Sequence, residues 1–340
     1  MDPALALVDA LRGRTVAVIG DIVADEFVYG RVTRVSREAP VLILEYDSTD
    51  VVPGGGGNAA NNVAALGGRT NLVGLIGRDE PGRRLLKAFH GRVVTSKVAK
   101  VAGRSTPVKT RILAGGIHSA KQQVVRIDRA VGKPIPSSAR AIFERSAFKA
   151  AMTADAVLVS DYGSGLVTPG YVSKLRAAMR TEGHPVPVLV DSRYGLLKYR
   201  GLTACTPNES EVEQALGVTI DDDLKVLERA GRDVLAQTRM EAVLITRGSR
   251  GMALFVPKAP TLHIPIFGSD EIADVTGAGD TVMATLALAL GAGATFEQAA
   301  RLANYAGGLV VIKRGTSTVS ASELRDAVRR DTVASGARRG

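Results

Sequence analysis

The chain has 340 residues, of which 45% are hydrophobic, so it can bury a substantial core as one large domain or two modest ones. Its formal net charge is +10 at pH 7, but the basic residues are dispersed, only 4% of residues are aromatic and tryptophan is absent, which disfavours a nucleic-acid partner. A single cysteine excludes a disulfide framework, and no apolar run reaches the roughly 20 residues of a membrane span, so we expect a cytoplasmic protein with no membrane partner.

Short apolar runs rich in β-branched residues alternate with helical patterns through most of the chain. The runs predict strands at residues 16–20, 72–76, 156–160, 186–191, 242–246 and 252–256. The helical patterns predict helices at residues 58–66, 81–89, 138–152, 169–180, 210–216, 222–237 and 296–312, and a further buried helix that Gly277 opens. Such alternation is typical of α/β proteins, and it predicts a three-layer α/β/α core around a mainly parallel sheet, with ligands at the carboxyl ends of the strands. Cys205 is expected to be a small core residue of a strand.

Two segments, residues 27–47 and 107–127, break the alternation because they are rich in strand patterns with more polar residues. A sheet of this kind has an exposed face that needs covering, so a homodimer is plausible. Residues 332–340 have the composition of a mobile, basic tail.

A run of four glycines, Gly54 to Gly57, precedes Asn58 in the first quarter of the chain. Glycines allow positive φ angles and close approach of the backbone to a ligand, and Asn58 stands where a helix is predicted to begin. The amides of Asn58, Asn61 and Asn62 can both donate to and accept from sugar hydroxyls. The alternative interpretation is a flexible loop followed by a packed helix that Asn58 caps.

A second glycine-rich block, Asp274 to Thr281, leads into the helix predicted after Gly277. Small residues at a helix start let successive N–H groups face one anion, and the helix dipole adds about half a positive charge there. Asp280 lies in the first turn and is a candidate general base for an alcohol nucleophile. The alternative is an ordinary helix start with an acidic residue that the dipole favours.

Together the two blocks resemble the paired signatures of the ribokinase-like, or PfkB, family of carbohydrate kinases, with Val275 in place of a threonine. The resemblance runs from about residue 15 to residue 331 and implies transfer of the γ-phosphoryl group of ATP to a sugar alcohol. Asp280 would be the base, and Gly277, Ala278 and Gly279 would form the anion hole. The family also implies a kinase domain over residues 1–331, in which segments 27–47 and 107–127 form a small β lid that covers the sugar and can pair with another subunit's lid.

Other segments resemble the branch of this family that phosphorylates heptose 7-phosphate for ADP-heptose synthesis. They are residues 35–41, 109–111, 122–128, 160–162, 206–211 and 315–320. This branch implies phosphorylation of O1 of D-glycero-β-D-manno-heptose 7-phosphate. Its members are often fused to a nucleotidyltransferase with a His-x-Gly-His motif; no such spacing occurs here, so we expect the kinase alone. Where they often carry lysine this chain has Ser164, for which Arg193 is a candidate replacement.

The resemblance also implies a set of sugar-binding residues. Asp21 and Asp25 follow the first strand, where the family holds sugar hydroxyls; a helix or turn cap is the alternative. Gly54, Gly55, Asn58 and Asp161 are expected beside them. Lys109, Arg111 and Arg126 are candidates for the sugar phosphate, because guanidinium and ammonium groups both bind phosphate; solvated lid charges are the alternative.

On the nucleotide side, Asn208 and Glu211 match the family's Asn-x-x-Glu motif, which organises Mg²⁺, its waters and the ATP phosphates. A capping box at a helix start is the competing interpretation, and both can hold. The expected ATP-binding residues also include Thr246, Arg247, Gly248, Gly251, Thr276 and Asn304. A plain hairpin is the alternative for residues 246–251, and an exposed polar position is the alternative for Asn304.

Two other functions remain open. One is a PfkB kinase for another sugar, sugar phosphate or nucleoside. The other is a non-catalytic regulator that binds a sugar or nucleotide on the same scaffold.

Overall fold

A computed structural model describes residues 3–115, 121–129, 134–268, 274–313 and 315–337. The helices are α1 (Pro3–Ala10), α2 (Gly56–Ala65), α3 (Glu80–Lys87), α4 (Ser137–Ala151), α5 (Pro169–Thr181), α6 (Glu209–Leu216), α7 (Leu224–Thr238), α8 (Ala278–Gly291), α9 (Phe296–Val311) and α10 (Ala321–Ala337). Two short 3₁₀ helices lie at Leu196–Lys198 and Gly248–Arg250.

The strands are β1 (Thr15–Gly20), β2 (Ile22–Val35), β3 (Leu42–Gly55), β4 (Arg69–Gly77), β5 (Val93–Val94), β6 (Val98–Val101), β7 (Val108–Gly115), β8 (Gln122–Arg129), β9 (Ala156–Asp161), β10 (Val188–Ser192), β11 (Ala204–Cys205), β12 (Ala242–Thr246), β13 (Met252–Phe255) and β14 (Leu262–Ile264). They form two sheets. The central sheet has the order β14-β13-β12-β11-β10-β9-β1-β4-β5, with β6 also paired to β4. Its pairs are parallel except β12 with β13 and β13 with β14.

Helices cover both faces of the central sheet. Val16 and Val18 of β1 point into one core cluster, which contains residues of α2, α8 and α9, whereas Ala17 and Ile19 point into the other, which contains residues of α4, α5 and α7. Successive strand residues face opposite sides, so a strand covered on both faces is apolar throughout. The predicted three-layer α/β/α fold with a mainly parallel sheet is confirmed, and Cys205 is a buried residue of β11 as expected.

Of the boundaries that differ from the predictions, three affect the interpretation of the sequence. Helix α2 begins at Gly56, so Asn58 lies within its first turn and does not cap it; the N-cap is Gly55, with no side-chain hydrogen bond. The strand predicted at residues 186–191 begins at Val188, after the proline. Helix α10 continues to Ala337, so regular structure extends into the predicted tail, of which residues 338–340 lie outside the described residues.

The segments expected to form a lid make a separate four-stranded sheet with the order β3-β2-β7-β8. Residues 116–120 of the second segment lie outside the described residues. Strand β2 begins at Ile22, directly after Asp21, so the lid sheet grows from the carboxyl end of β1. The outer part of this sheet carries exposed apolar side chains, among them Val35, Tyr46, Val125 and Ile127. Among the described helices, none is both long enough and apolar enough to span a membrane.

Candidate active site

The start of α8 contains the three residues predicted to form an anion cradle. Gly277 is the N-cap and adopts the left-handed conformation (φ 78°), which glycine accepts without strain. A Cβ at this position would lie 2.5 Å from the side-chain nitrogen of Asn58, so the tight approach of two segments also requires glycine. Gly277, Ala278 and Gly279 all line a cavity of about 420 Å³. Their backbone therefore faces space that an anionic group can occupy.

Asp280 lies in the first turn of α8, buried at 6% exposure, and both carboxylate oxygens have donors. Asn58 Nδ2 donates to Oδ2 at 2.9 Å, and the Tyr162 hydroxyl donates to Oδ1 at 3.2 Å. Burial raises the pKa of Asp280 to about 7, against the effect of these two hydrogen bonds. A carboxyl group that titrates near neutral pH is suited to general base catalysis.

The two glycine-rich blocks meet at this carboxylate, as their pairing in the sequence led us to expect. Asn58 also donates to the Gly277 carbonyl at 3.2 Å, and Asn62 donates to Asn58 Oδ1 at 3.0 Å. Thr281 donates to Asn62 Oδ1, which closes a buried network between α2 and α8. Asn61 instead accepts from His90 N at 3.0 Å, outside this network.

Asp21 follows β1 and is buried. Its carboxylate accepts from Tyr162 N at 2.8 Å, from Ser164 N at 3.3 Å and from the Ser164 hydroxyl. Burial raises the pKa of Asp21, and the bonds from Ser164 and Tyr162 oppose that shift. Ser164, at the position where related kinases often carry lysine, therefore supports a carboxylate rather than supplying a cation.

Asp25 lies three residues into β2 and forms a buried ion pair with Arg111 of β7 at 2.7 Å. Gly54 packs directly against it, because a Cβ there would lie 2.3 Å from Asp25 Oδ2. Thr316 also approaches the same oxygen at 3.4 Å. The ion pair joins the two central strands of the lid sheet. It also means that Arg111, a predicted ligand of the sugar phosphate, already has a carboxylate partner.

Asp161, at the end of β9, is held by protein donors. Its carboxylate accepts from Tyr199 OH at 2.7 Å, Ser192 Oγ at 2.9 Å and Gly163 N at 3.0 Å. These contacts fix the turn after β9, which carries Tyr162. Asp161 therefore supports this turn, with its carboxylate held by protein donors at the position where a sugar ligand was expected.

The cavity of about 420 Å³ extends from the anion cradle along the carboxyl ends of β10 and β12. Of the expected ATP-binding residues, it is lined by Asn208, Glu211, Thr246, Gly248, Gly251 and Asn304. Asn304 is buried, and its amide donates to the Pro265 carbonyl at 2.8 Å, so the exposed-helix alternative is wrong. The hairpin alternative for residues 246–251 is also realised, since β12 and β13 pair antiparallel.

Two of the expected ATP-binding residues have structural contacts instead. Arg247 is buried and donates to Glu209 at 2.8 Å. Thr276 donates its backbone N–H to Asp274 at 2.9 Å. Neither residue is among those lining the cavity of about 420 Å³.

Asn208 and Glu211 form the capping box of α6. Glu211 N donates to Asn208 Oδ1 at 2.8 Å, and Asn208 N donates to Glu211 Oε2 at 3.0 Å. Because both residues also line the cavity, the capping and nucleotide-side interpretations are compatible. Burial raises the pKa of Glu211.

Asp191, in β10, lines the same cavity, and the sequence analysis missed it as a site residue. Burial raises its pKa well above the usual range, and repulsion from Asp280 and Glu211 adds to the shift. The available signal was an acidic residue at the carboxyl end of an apolar strand, the same signal that identified Asp21. Within the described ranges, no group of three or more His, Cys, Asp or Glu residues could hold a metal ion directly.

A second cavity, of about 310 Å³, lies beneath the lid sheet and is lined by Asp21, Lys109, Arg126, Tyr162, Ser164 and Arg193. Lys109 Nζ lies 4.9 Å from the centroid of the Tyr162 ring, and burial lowers its pKa. In the described part of the chain, neither Lys109 nor Arg193 forms an ion pair. Arg126 pairs with Asp128 through two contacts of 2.9 Å. Tyr162 and Arg193 line both cavities.

Comparison with known proteins gives one consistent family. The model of the pfkB family carbohydrate kinases matches residues 14–323. The "Bifunctional protein HldE" of Geobacter metallireducens is 43% identical over 90% of this chain and 61% of its own length. The protein of the same name from Caulobacter vibrioides is 42% identical over 95% of this chain and 65% of its own length. The chain thus spans less than two thirds of these relatives.

Solved structures share the fold. Arabidopsis thaliana ribokinase, in complex with ribose and ATP, has a TM-score of 0.69 and 21% identity over 93% of this chain and 98% of its own. Phosphofructokinase-2 from Escherichia coli, in complex with fructose-6-phosphate, has a TM-score of 0.70 and 16% identity over the same fractions. The predicted ribokinase-like fold and the resemblance of the two glycine-rich blocks are confirmed. The chain therefore belongs to the pfkB family of carbohydrate kinases.

Proposed function

We propose that this chain transfers the γ-phosphoryl group of ATP to O1 of D-glycero-β-D-manno-heptose 7-phosphate, the step that leads toward ADP-heptose. The observation that carries the proposal is the position of Asp280, a buried carboxyl group with a pKa of about 7, beside the anion cradle of α8. Tyr162, which contacts Asp280, lines both cavities. ATP would occupy the larger cavity and the sugar the one beneath the lid.

In this reaction Asp280 accepts the proton of the sugar hydroxyl, and the hydroxyl oxygen attacks the γ-phosphorus in line with the leaving ADP oxygen. The N–H groups at residues 277–279 and the dipole of α8 stabilise the charge on the moving phosphoryl group. Most of the rate enhancement then comes from positioning and from preorganised electrostatics.

Magnesium fits the nucleotide side of the site. Glu211 and Asp191 are half-buried carboxyl groups with raised pKa values that line one cavity, so a cation there would relieve the cost of ionising them. Asn208 and Glu211 would hold the hydrated ion through water, since Mg²⁺ keeps much of its water shell. When bound, it would neutralise the triphosphate.

Lys109 and Arg193 are the proposed ligands of the phosphate already on the sugar. Both line the cavity beneath the lid sheet, and neither forms a close ion pair with a carboxylate among the described residues, so both cations can contact an anionic ligand there. Burial and Arg193 lower the pKa of Lys109, while the carboxylates of Asp25 and Asp128 oppose that shift. Arg111 is engaged by Asp25, and Arg126 by Asp128, so these two contribute less than the sequence suggested. Asp21 would accept hydrogen bonds from sugar hydroxyls in the same cavity.

A PfkB kinase for a different sugar, sugar phosphate or nucleoside is the second candidate. The observation in its favour is Ser164, which donates to Asp21 where related heptose kinases often present a lysine. A non-catalytic regulator is disfavoured, because the base, the cradle and the Asn-x-x-Glu residues are all present.

The exposed apolar side chains of the lid sheet support a homodimer that forms through this sheet. Light scattering during size-exclusion chromatography should give the mass of a dimer, and replacing the exposed Tyr46 and Ile127 by serine should shift it toward the monomer. A monomer in the unsubstituted protein would remove this part of the proposal.

The substrate is tested by coupled measurement of ADP release against a panel of acceptors: heptose 7-phosphate, the unphosphorylated heptose, ribose, fructose and fructose 6-phosphate. We expect the highest kcat/KM for heptose 7-phosphate, with phosphorylation at the anomeric hydroxyl identified by ³¹P NMR. Good turnover of another acceptor with none of the heptose would exclude the proposed substrate. No turnover of any acceptor would favour the regulator.

A further inference from the structure

Tyr162 contacts Asp21, Asp280, Gly55 and Lys109. It follows β9, and its backbone N–H donates to Asp21 Oδ2 at 2.8 Å. Its hydroxyl donates to Asp280 Oδ1 at 3.2 Å. The ring packs against Gly55, where a Cβ would lie 3.3 Å from the ring edge, and the ammonium of Lys109 lies 4.9 Å from the ring centroid. One residue therefore joins the sugar-side carboxylate, the lid and the base.

We propose that Tyr162 is a positioning residue for the catalytic base. Its hydroxyl fixes Asp280 Oδ1 while Asn58 fixes Oδ2, so that the carboxylate form is favoured and is directed at the sugar hydroxyl. The proposal rests on the proposed role of Asp280.

Two donors on two different oxygens remove the freedom of the carboxylate to rotate. Each oxygen still has a lone pair that can accept the proton of the acceptor hydroxyl, so the donors do not block the reaction. Burial raises the pKa of Tyr162 well above 10, so its hydroxyl remains a proton donor throughout the working range of the enzyme. The bond from Tyr162 also supplies a fixed dipole that needs no reorganisation during proton transfer.

The charged groups around Asp280 act in opposite directions. Asp25 from β2 raises its pKa, as does burial, and Asp191 from β10 is a second carboxyl group close enough to be coupled to it. Lys109 from β7 and the hydroxyl of Tyr162 lower the pKa, together with the amide of Asn58 on α2. Removing the hydroxyl leaves burial and the carboxylates in place, so the pKa of the base must rise.

Lys109 strengthens this contact from the lid. A cation above an aromatic face is attracted by the ring electrons, and it makes the attached hydroxyl a better donor because it stabilises negative charge on the phenol oxygen. Strand β7 and the glycine-rich block thereby both contact the Tyr162 ring.

The test is the pH profile of kcat/KM for the sugar in Tyr162→Phe, which removes the hydroxyl and keeps the ring. Loss of one hydrogen bond to the Asp280 carboxylate should shift the midpoint of the acid limb to higher pH by about one unit. We expect a loss of about tenfold at a pH one unit below the wild-type midpoint and near-complete recovery two units above it.

Tyr171→Phe is the matched control, because the Tyr171 hydroxyl donates to the Glu144 carbonyl at the same distance, 3.2 Å, away from both cavities. Its pH profile should coincide with that of the wild type. Replacement of Tyr162 by 3-fluorotyrosine preserves the shape of the residue and makes the hydroxyl a stronger donor. It should move the acid limb to lower pH, and this arm remains decisive if the phenylalanine variant folds poorly.

An unshifted acid limb in both Tyr162 variants, with or without a uniform fall in kcat, would overturn the positioning role. Failure of the underlying function has a different signature. If Asp280→Asn keeps near wild-type turnover, Asp280 is not the base, whatever the Tyr162 variants do.

Discussion

Replacement of Asp280 by asparagine should lower turnover and at the same time raise the free energy of unfolding. The side chain keeps its size and can still accept from Asn58, while the Tyr162 hydroxyl can turn to accept from the new amide. The base is lost, so turnover should fall by about 10²- to 10⁴-fold. Binding of ATP should persist, because the cradle of α8 and the residues of the larger cavity are unchanged.

The stability change follows from the pKa of Asp280, which is raised from 3.8 to about 7. A carboxyl group with a raised folded-state pKa binds more protons in the folded than in the unfolded chain, so the wild type loses stability as pH rises from about 4 to about 7. Each pKa unit corresponds to about 1.4 kcal/mol, which sets a cost of about 4 kcal/mol above pH 7. Asparagine carries no such cost.

The free energy of unfolding should therefore be measured by urea denaturation of both proteins between pH 4 and pH 8. We expect the difference in favour of Asp280→Asn to grow with pH and to level off near pH 7, while turnover stays low throughout. A stability difference that does not change with pH would refute the raised pKa. Turnover close to wild type would refute the assignment of the base.

Three other variants test the two cavities and the lid. Lys109→Met should raise the KM for heptose 7-phosphate by about ten- to a hundredfold, because a charged contact is lost. The KM for the unphosphorylated sugar should remain almost unchanged. Equal effects on both sugars would contradict a phosphate contact. Glu211→Gln preserves the capping box and should keep the melting temperature. It should raise the Mg²⁺ concentration for half-maximal activity by about tenfold. An unchanged Mg²⁺ titration would exclude Glu211 as a residue that holds the hydrated ion. Gly54→Ala should lower the free energy of unfolding by about 1–3 kcal/mol and weaken sugar binding, because the added Cβ would overlap Asp25. Gly170→Ala is the control, because the space around Gly170 is open, and it should have neither effect. Equal stability of the two variants would show that the contact with Asp25 relaxes without cost.

Features with a local signal in the sequence were predicted well. The buried strands β1, β4, β9 and β12 are short apolar runs, and their periodicity depends only on neighbouring residues. Asp280 was found because an acidic residue after small residues at a helix start has a recognisable chemistry. The capping box of α6 was likewise readable from four consecutive positions.

Features that depend on contacts between distant segments were not predictable in the same way. Arg111 and Arg126 look alike in the sequence, but one meets Asp25 across the lid and the other meets Asp128 within its own strand. A helix was predicted to begin at Asn58, with capping by its side chain as the alternative interpretation. Instead Gly55, with φ 56°, is the N-cap of a helix that begins earlier, and the Asn58 amide donates to Asp280 of α8. Only the assembled sheet brings Asp191 into the same cavity as Glu211.

The direct passage from β1 into the lid sheet has a geometric consequence. Asp21 is the last residue before β2 and Asp25 lies within β2, so the chain ties the lid sheet to the carboxyl end of β1. Asp25 and its partner Arg111 belong to the lid sheet, whereas Asp280 belongs to α8. The separation of the Asp25 and Asp280 carboxylates therefore depends on how the lid sheet is oriented against the central sheet.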